Sequence, residues 1–454
     1  MSNLSELIEL DKKHCLHPSS PIKDHYSQGP MVLMEKGQGI YLYDFNGKEY
    51  IDGLSSLWNV NIGHGRAELA EAAREQMSRL AFSHSFNRFS HRGAIELAEK
   101  LASLTPGDLS VTQFTSGGSE SNDTAFKLAR HYFKLKGQPN RYKIISRYRA
   151  YHGISMGATS ATGIPVFRQM GGPLAEGFLH AAAPYCYRCE EEDCTGYSIK
   201  SIEDIIQSEG PKTVAAVIVE PIQGAGGVIV PPLGYLKEIR RICDKYGILM
   251  IADEVITGFG RTGKWFGVEY DGVVPDMMSI AKGITSGYIP LGGVVIRGSI
   301  HQELVANSQE SAILPHGFTY SGHPTACAVA LKNLEIMADE KLVDNAAKMG
   351  LLLQEGLKKM RDELDIVGNF MSRGLIGSIE IVQEKATKKP FSKELNAANR
   401  VFAKALENGL ITRAISIDQT DMVAVCPPLI INELELQRML DILYESIKEV
   451  QRDI

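Results

Sequence analysis

The sequence predicts an α/β fold: a large domain built on a mostly parallel sheet flanked by helices, plus a smaller α+β domain. Three observations predict it. Between residue 111 and about residue 296, short apolar runs alternate with amphipathic segments of helical period. That order lays parallel strands side by side with helices on both faces of the sheet. From about residue 340 the chain shifts to Lys/Glu-rich amphipathic helices with short strands between them. Finally, several apolar runs break into Gly117-Gly118, Glu220, Asp253 and Lys282, at or just after the ends where sheets of this kind bind ligands. The expected organisation is an N-terminal arm and hairpin over 1–60 packing with the small domain, a large domain over 61–335 and the small domain over 336–454.

Residues 1–30 are polar with scattered Pro and His and suggest an irregular arm. Gly39–Ile51 is two alternating runs split by Phe45-Asn46-Gly47-Lys48, and Asn-Gly there signals a hairpin. Asp52–His64 is a Gly-rich polar loop around Trp58, one of only two tryptophans, so a binding surface competes there with simple packing. Glu68–Arg79 and His91–Leu104 have helical period. The strand Val111–Phe114 runs through Thr115–Asn122 into the helix Asp123–Leu135. A strand, a Gly/Ser turn and a helix N-terminus make an anion site, and the doubled glycine permits close approach of a phosphate. The alternative is a plain helix cap.

Tyr142–Ser146 is a strand ending near Tyr151-His152-Gly153, either a ring-stacking platform or a Tyr–His packing pair. Ser201–Ser208 is helical, Val214–Val219 is a buried strand ending in Glu220-Pro221, and Pro232–Tyr246 is an amphipathic helix closed by Gly247. Ile248–Ala252 and Met277–Ala281 are wholly apolar strands delivering Asp253 and Lys282. Gly317–Thr325 is a glycine-bounded turn before the helix Ala326–Met337. In the smaller domain the helices Leu342–Leu364 and Lys393–Asn408 bracket the strand Ile376–Ile381, and Met422–Cys426 is another. Arg413 lies between a helix and a strand.

The net charge of −6 gives no reason to expect nucleic acid or a membrane surface as partner. Met1–Asp11 lacks the apolar stretch of a signal peptide, and a cytoplasmic location is expected. Seven scattered cysteines do not form a disulfide framework. Cys186-x-x-Cys189 with Cys194 supplies three thiols but no nearby fourth ligand, so ordinary loop cysteines are expected, and no metal.

A buried lysine and a buried carboxylate are costly to keep in an apolar interior, which marks them for chemistry. With a phosphate cradle and a flat aromatic, they describe a site for a phosphorylated aromatic aldehyde, and pyridoxal 5′-phosphate is the natural candidate. In that reading Lys282 forms a Schiff base, and Asp253 keeps the ring nitrogen protonated. Tyr151 stacks on the ring with Val255 on its opposite face, and Gly117, Gly118 and Ser119 take the phosphate.

At this point the residues resemble a known family. Asp253–Arg261 (DEVITGFGR), followed by a lysine in Ala281-Lys282-Gly283, is similar to the class III aminotransferases, which are fold-type-I enzymes dependent on pyridoxal phosphate. Thr115–Asn122, Tyr151-His152-Gly153, Glu220–Gly224, Gly317–Pro324 and Cys426-Pro427-Pro428 extend the resemblance over nearly the whole chain. Within the class the chain looks most like the ω-amino acid:pyruvate transaminases. The resemblance implies a seven-stranded sheet in the large domain and transfer of an amino group from an ω-amino acid or primary amine, such as β-alanine or taurine, to pyruvate. It implies Lys282 and Asp253 as catalytic residues, with Tyr151, His152, Val255 and Glu220 around the cofactor. Phe318 and Thr319 would reach the phosphate of a neighbouring subunit, making the active unit a homodimer, with a tetramer as a further possibility. Arg413 would grip the keto-acid carboxylate, and Trp58 and Phe86 would line the donor pocket beside Tyr151.

Two departures bear on this. The phosphate turn Ser116-Gly117-Gly118-Ser119 lacks the serine that relatives place before the second glycine. His17-Pro18-Ser19-Ser20 carries small residues where relatives often place an aromatic. The alternatives are the adenosylmethionine-8-amino-7-oxononanoate aminotransferase of the biotin pathway, where relatives tend to carry a double Trp but Trp58 here precedes Asn59, and a non-catalytic metabolite-binding protein on the same fold. A racemase or decarboxylase would use the same cofactor residues. Glu254 receives no role.

Overall fold

The computed structural model describes residues 3–191 and 193–454. Three sheets organise them. The first contains β1 (Met34–Gln38), β2 (Tyr41–Asp44) and β3 (Glu49–Asp52), with β2 and β3 forming the hairpin that Asn46-Gly47 predicts; Gly47 has φ 82°. The second contains β4 (Leu109–Thr115), β5 (Lys143–Arg147), β6 (Phe178–Ala181), β7 (Val214–Val219), β8 (Leu249–Asp253), β9 (Met277–Ile280) and β10 (Gly292–Arg297). The third contains β11 (Val367–Ser372), β12 (Gly377–Ile381), β14 (Arg413–Ile417) and β15 (Thr420–Val425), while the two-residue β13 (Leu410–Ile411) joins the first sheet beside β3.

The seven-stranded sheet has the order β4-β10-β9-β8-β7-β5-β6, and only β10 runs against its neighbours. Its middle strands β7 and β8 are continuously apolar up to Asp253 at the tip of β8, because helices cover both faces. All six residues of β7 and all five of β8 are buried. The helix Tyr235–Tyr246 packs on β8 and ends at Gly247 in the left-handed conformation, φ 59°. The third sheet is antiparallel and carries the helices Leu342–Glu363 and Ala397–Glu407, on which the long helix Glu433–Asp453 packs in turn.

Several elements differ from the sequence expectation. The arm is not irregular: Leu4–His14 and Ile22–Gln28 are helices, and Asn3 and Glu6 form a reciprocal capping box at the first. The glycine turn is itself the start of the helix Gly118–Leu135, five residues earlier than expected. Arg413 is the first residue of β14 rather than part of a connection. The cysteine loop contains a single turn, Cys186–Arg188, and then the start of the helix Cys194–Glu209. Glu192, within that loop, lies outside the described residues. Burial and the adjacent Cys186 and Cys189 thiols push the Cys194 thiol well up.

Arg261 joins these parts. It is fully buried, and its guanidinium donates to the carbonyls of Leu375 (2.8 Å) and Pro427 (2.6 Å), to Ser55 Oγ and to Asn61 Oδ1 (both 3.1 Å). One cation thus satisfies acceptors from three distant chain segments, the use for which a planar fork with five donors is suited.

Candidate active site

The parallel strands β8 and β9 are neighbours, with Asp253 paired to Ser279, so the two polar tips emerge side by side. Asp253 is buried and its Oδ2 accepts from His152 Nδ1 (2.8 Å) and Asn122 Nδ2 (2.8 Å). Among the described residues its Oδ1 accepts only the Val255 N–H, at 3.1 Å. Asn122 also donates to the His152 carbonyl at 2.7 Å, so the amide spans both partners and fixes the carboxylate against the imidazole. The carboxylate therefore keeps acceptor capacity for one further donor from the cavity.

Lys282 lies two residues beyond β9 and has φ +50°, a conformation that costs a non-glycine residue about 1–3 kcal/mol and clusters at functional sites. Burial lowers its amine to about 8, against the opposing pull of Asp253 and Glu220. No ion pair joins Lys282 to Asp253 among the described residues. An amine neutral near pH 8 suits a nucleophile or proton carrier.

Glu220, at the tip of β7, is buried and takes the N–H of Tyr151 and of Gly224, each at 3.0 Å. Burial raises its carboxyl to about 7. Tyr151 is thereby fixed through its backbone, and its ring packs against Phe167 at 5.3 Å. The doubled glycine also finds its reason. A Cβ on Gly118 would stand 2.9 Å from Val255 Cγ1, so only glycine lets the helix start press against Val255. The first N–H groups of any helix lack intrahelical partners, and here they belong to Gly118, Ser119 and Glu120. Ser119 Oγ already accepts the Ile154 N–H at 3.1 Å.

These groups surround one cavity of about 780 Å3. Gly118, Ser119, Tyr151, His152, Glu220, Asp253, Val255 and Lys282 line it, as do Trp58 and Arg413. Trp58 is 3% exposed and held at φ 64° by a loop whose start is capped by the Asp52 carboxylate. Arg413 has no carboxylate partner among the described residues; burial lowers its guanidinium, with Tyr151 acting in the opposite sense. Gly117, Phe86, Phe318 and Thr319 do not line the cavity within this chain. Phe86 sits against Gly317 and is 43% exposed, and Phe318 packs edge-on to His316 at 5.3 Å.

Glu254, which had no role, turns inward. Its carboxylate accepts from the Thr257 hydroxyl and from the N–H of Gly267 (2.9 Å) and Val268 (2.8 Å). It closes the turn after β8 and does not line the cavity. The sequence reasoning also gave no role to Asn122, which sits inside the quoted glycine motif. Its distance of four residues from Gly118, one turn into a helix aimed at the site, was the available signal.

The residue set fits pyridoxal phosphate. It offers an amine for the aldehyde, a buried carboxylate with spare acceptor capacity for a protonated ring nitrogen, free helix N–H groups for the phosphate, and a glycine cradle that a Cβ would fill.

Comparison with known proteins agrees with this chemistry. The family model for aminotransferase class-III matches residues 22–447. The chain superposes on a transaminase from the marine bacterium Virgibacillus with TM-score 0.96, at 52% identity and covering 99% of each chain. It superposes on an (S)-enantioselective ω-transaminase from Thermomicrobium roseum with TM-score 0.94, at 47% identity, covering 100% of this chain and 99% of that one. It is 39% identical to a putrescine–pyruvate aminotransferase of Pseudomonas aeruginosa, over 95% of this chain and 93% of that protein. With its parallel sheet, its lysine and its carboxylate in one cavity, the chain belongs to the class III aminotransferases, enzymes of fold type I that depend on pyridoxal phosphate.

Proposed function

We propose that this chain moves an amino group from an ω-amino acid or a primary amine to pyruvate, giving alanine and an aldehyde or ketone. The observation that carries the reading is Arg413. It is a half-buried guanidinium without a carboxylate partner among the described residues, on the wall of the cavity that holds Lys282 and Asp253. A planar, permanently charged fork in that position suits a carboxylate that arrives and leaves with the substrate. The remaining walls include Leu57, Trp58, Val255 and Ile256, which suit the carbon chain of an amine donor. The activities of the Thermomicrobium and Pseudomonas proteins support the same reading.

Pyridoxal phosphate, when bound, supplies the electron sink that stabilises negative charge on the substrate carbon. In this reading Lys282 holds it covalently at rest, and Gly117, Gly118 and Ser119 hold its phosphate through backbone N–H groups. Asp253 keeps a proton on the ring nitrogen, with Asn122 and His152 fixing the carboxylate. Tyr151 and Val255 sandwich the ring, and Glu220 holds Tyr151 in place. Lys282 Nζ would serve as the base that accepts the proton from the donor carbon, a task suited to an amine near 8.

The second half of the site is assigned to a second copy of the chain. Phe82, Phe86, Phe89 and Tyr320 are exposed and cluster around the 317–323 turn. A patch of that kind marks an interface, and a homodimer built there carries Phe86, Phe318 and Thr319 to the partner's cavity.

The test is a donor panel of β-alanine, taurine, putrescine, 1-phenylethylamine and S-adenosylmethionine with pyruvate, reading alanine formed. Turnover of S-adenosylmethionine alone, and only when 8-amino-7-oxononanoate replaces pyruvate, would place the chain in the biotin pathway instead. No turnover with any donor and pyruvate would overturn the reading.

A further inference from the structure

The helical arm brings together three side chains that carry no metal motif in the sequence. Asp11 lies in the helix Leu4–His14, His25 in the helix Ile22–Gln28, and His17 in the connection between them. Asp11 Oδ1 meets His17 Nε2 at 2.9 Å and Asp11 Oδ2 meets His25 Nε2 at 2.7 Å. One ligand atom from each lies within 4.8 Å of the others. The two imidazole rings are 4.3 Å apart, and His25 and Asp11 are mostly covered. The Cys15 thiol lies close to the Asp11 carboxylate.

We propose that Asp11, His17 and His25 form a divalent-cation site, best suited to Zn2+, that locks the N-terminal arm at the edge of the active-site cavity. Two imidazoles and a carboxylate are borderline ligands; they suit Zn2+ and Co2+ and not the oxygen-seeking Mg2+ or Ca2+. Zinc binds such donors at about 2.0–2.2 Å, so the nitrogen–oxygen spacing in a tetrahedron is about 3.3 Å. With Asp11 Oδ2 as the shared oxygen, His17 Nε2 stands at 3.1 Å and His25 Nε2 at 2.7 Å, so these two spacings open by only a few tenths of an ångström to admit the ion. The fourth position falls to water or to Cys15.

The location gives the site a consequence. Pro18 and Ser19, immediately after His17, line the cavity that holds Lys282 and Arg413. Fixing His17 fixes this segment, and with it the side of the cavity where the donor chain is expected. The ion is placed away from the reacting atoms, so it acts by positioning the arm.

Tag-free holoenzyme, dialysed against micromolar Zn2+ and then desalted, tests this by the metal retained per chain. One zinc ion per chain is expected for the unaltered protein and for the variant Cys186→Ser/Cys189→Ser. Asp11→Asn and His25→Gln are each expected to weaken retention at least tenfold while leaving the absorbance of the bound cofactor unchanged, which reports an intact core. Co2+ in place of Zn2+ is expected to give the visible band of a tetrahedral ion, lost in His25→Gln. No retained zinc in the unaltered protein, retention undiminished in Asp11→Asn and His25→Gln, or loss of zinc on replacing Cys186 and Cys189 would each overturn the proposal.

Discussion

His152 Nδ1 donates to Asp253 Oδ2 across 2.8 Å, and the same oxygen accepts from Asn122 Nδ2 at the same distance. The carboxylate is thus fixed by two donors that converge on one oxygen. Asn122→Ala removes one donor and lets the imidazole and carboxylate drift. The expected outcome is a folded protein with cofactor affinity lowered about tenfold and slower amine half-reaction, measured by spectroscopic titration and stopped flow. Asp253→Asn is expected to cost more, on the order of 10²–10³ in rate, as when a preorganised charge is removed from a water-poor site. Equal rates in Asn122→Ala and the parent would deny Asn122 its positioning role.

Lys282 links the site to stability in the cofactor-free protein. Its folded-state value near 8 lies below the ordinary 10.5 that the unfolded chain retains. Between about pH 8 and 10.5 the unfolded chain holds more protons, so stability rises with pH in that window. Below it the penalty for burying the ammonium is fully present. Lys282→Met is therefore expected to raise the melting temperature of the cofactor-free protein at pH 7, and the gain should shrink towards pH 10. It should also abolish turnover. A gain that grows with pH would contradict the assignment.

Glu254 makes the opposite kind of prediction. Its carboxylate takes two backbone N–H groups and a hydroxyl in a buried turn. Glu254→Ala orphans those donors and is expected to cost about 2–4 kcal/mol, read by denaturant unfolding. Cofactor absorbance in the surviving folded fraction should be unchanged. A shifted absorbance with unaltered stability would instead place Glu254 in the catalytic machinery.

For Arg413, truncation to alanine separates the two half-reactions. Conversion of the enzyme by 1-phenylethylamine should stay within about threefold, whereas KM for pyruvate should rise about 10–100-fold, the loss expected for a charge-assisted hydrogen-bonded pair. Equal damage to both halves would remove the carboxylate role.

Gly118→Ala offers a steric test. The added methyl meets Val255 Cγ1 at 2.9 Å, so Val255 must move into the cavity. Weaker cofactor binding with little change in amine specificity is expected, checked by equilibrium dialysis.

The large domain was legible because the strands buried on both faces are continuous apolar runs, and Asp253 and Lys282 interrupt them at their tips. The small domain was less so. β11 (VGNFMS) and β14 (RAISI) are only partly covered and mix small, polar and apolar residues, so neither period stands out. The arm helices bury no residue completely, which leaves no apolar stripe to find in the sequence. Asn122 was hidden for a different reason. Its contacts are long-range, to His152 and Asp253, and nothing local distinguishes it from a helix-capping asparagine. Glu254 received no role because only one of two successive residues leaving a strand can face the cavity, and the sequence does not say what the other meets.

The two-residue strand β13 has a wider effect than its length suggests. Leu410 and Ile411 pair with Ile51 and Asp52 of β3, so Trp58, a few residues beyond β3, and Arg413, two residues beyond β13, hang from the same hydrogen-bonded seam. Two parts of the cavity lining are thereby one mechanical unit, although the chain separates them by most of its length. Lengthening the hairpin tip at Asn46-Gly47 leaves that unit untouched. Inserting a residue between Asp52 and Trp58 changes the spacing of the walls and, with it, the size of amine the cavity can admit.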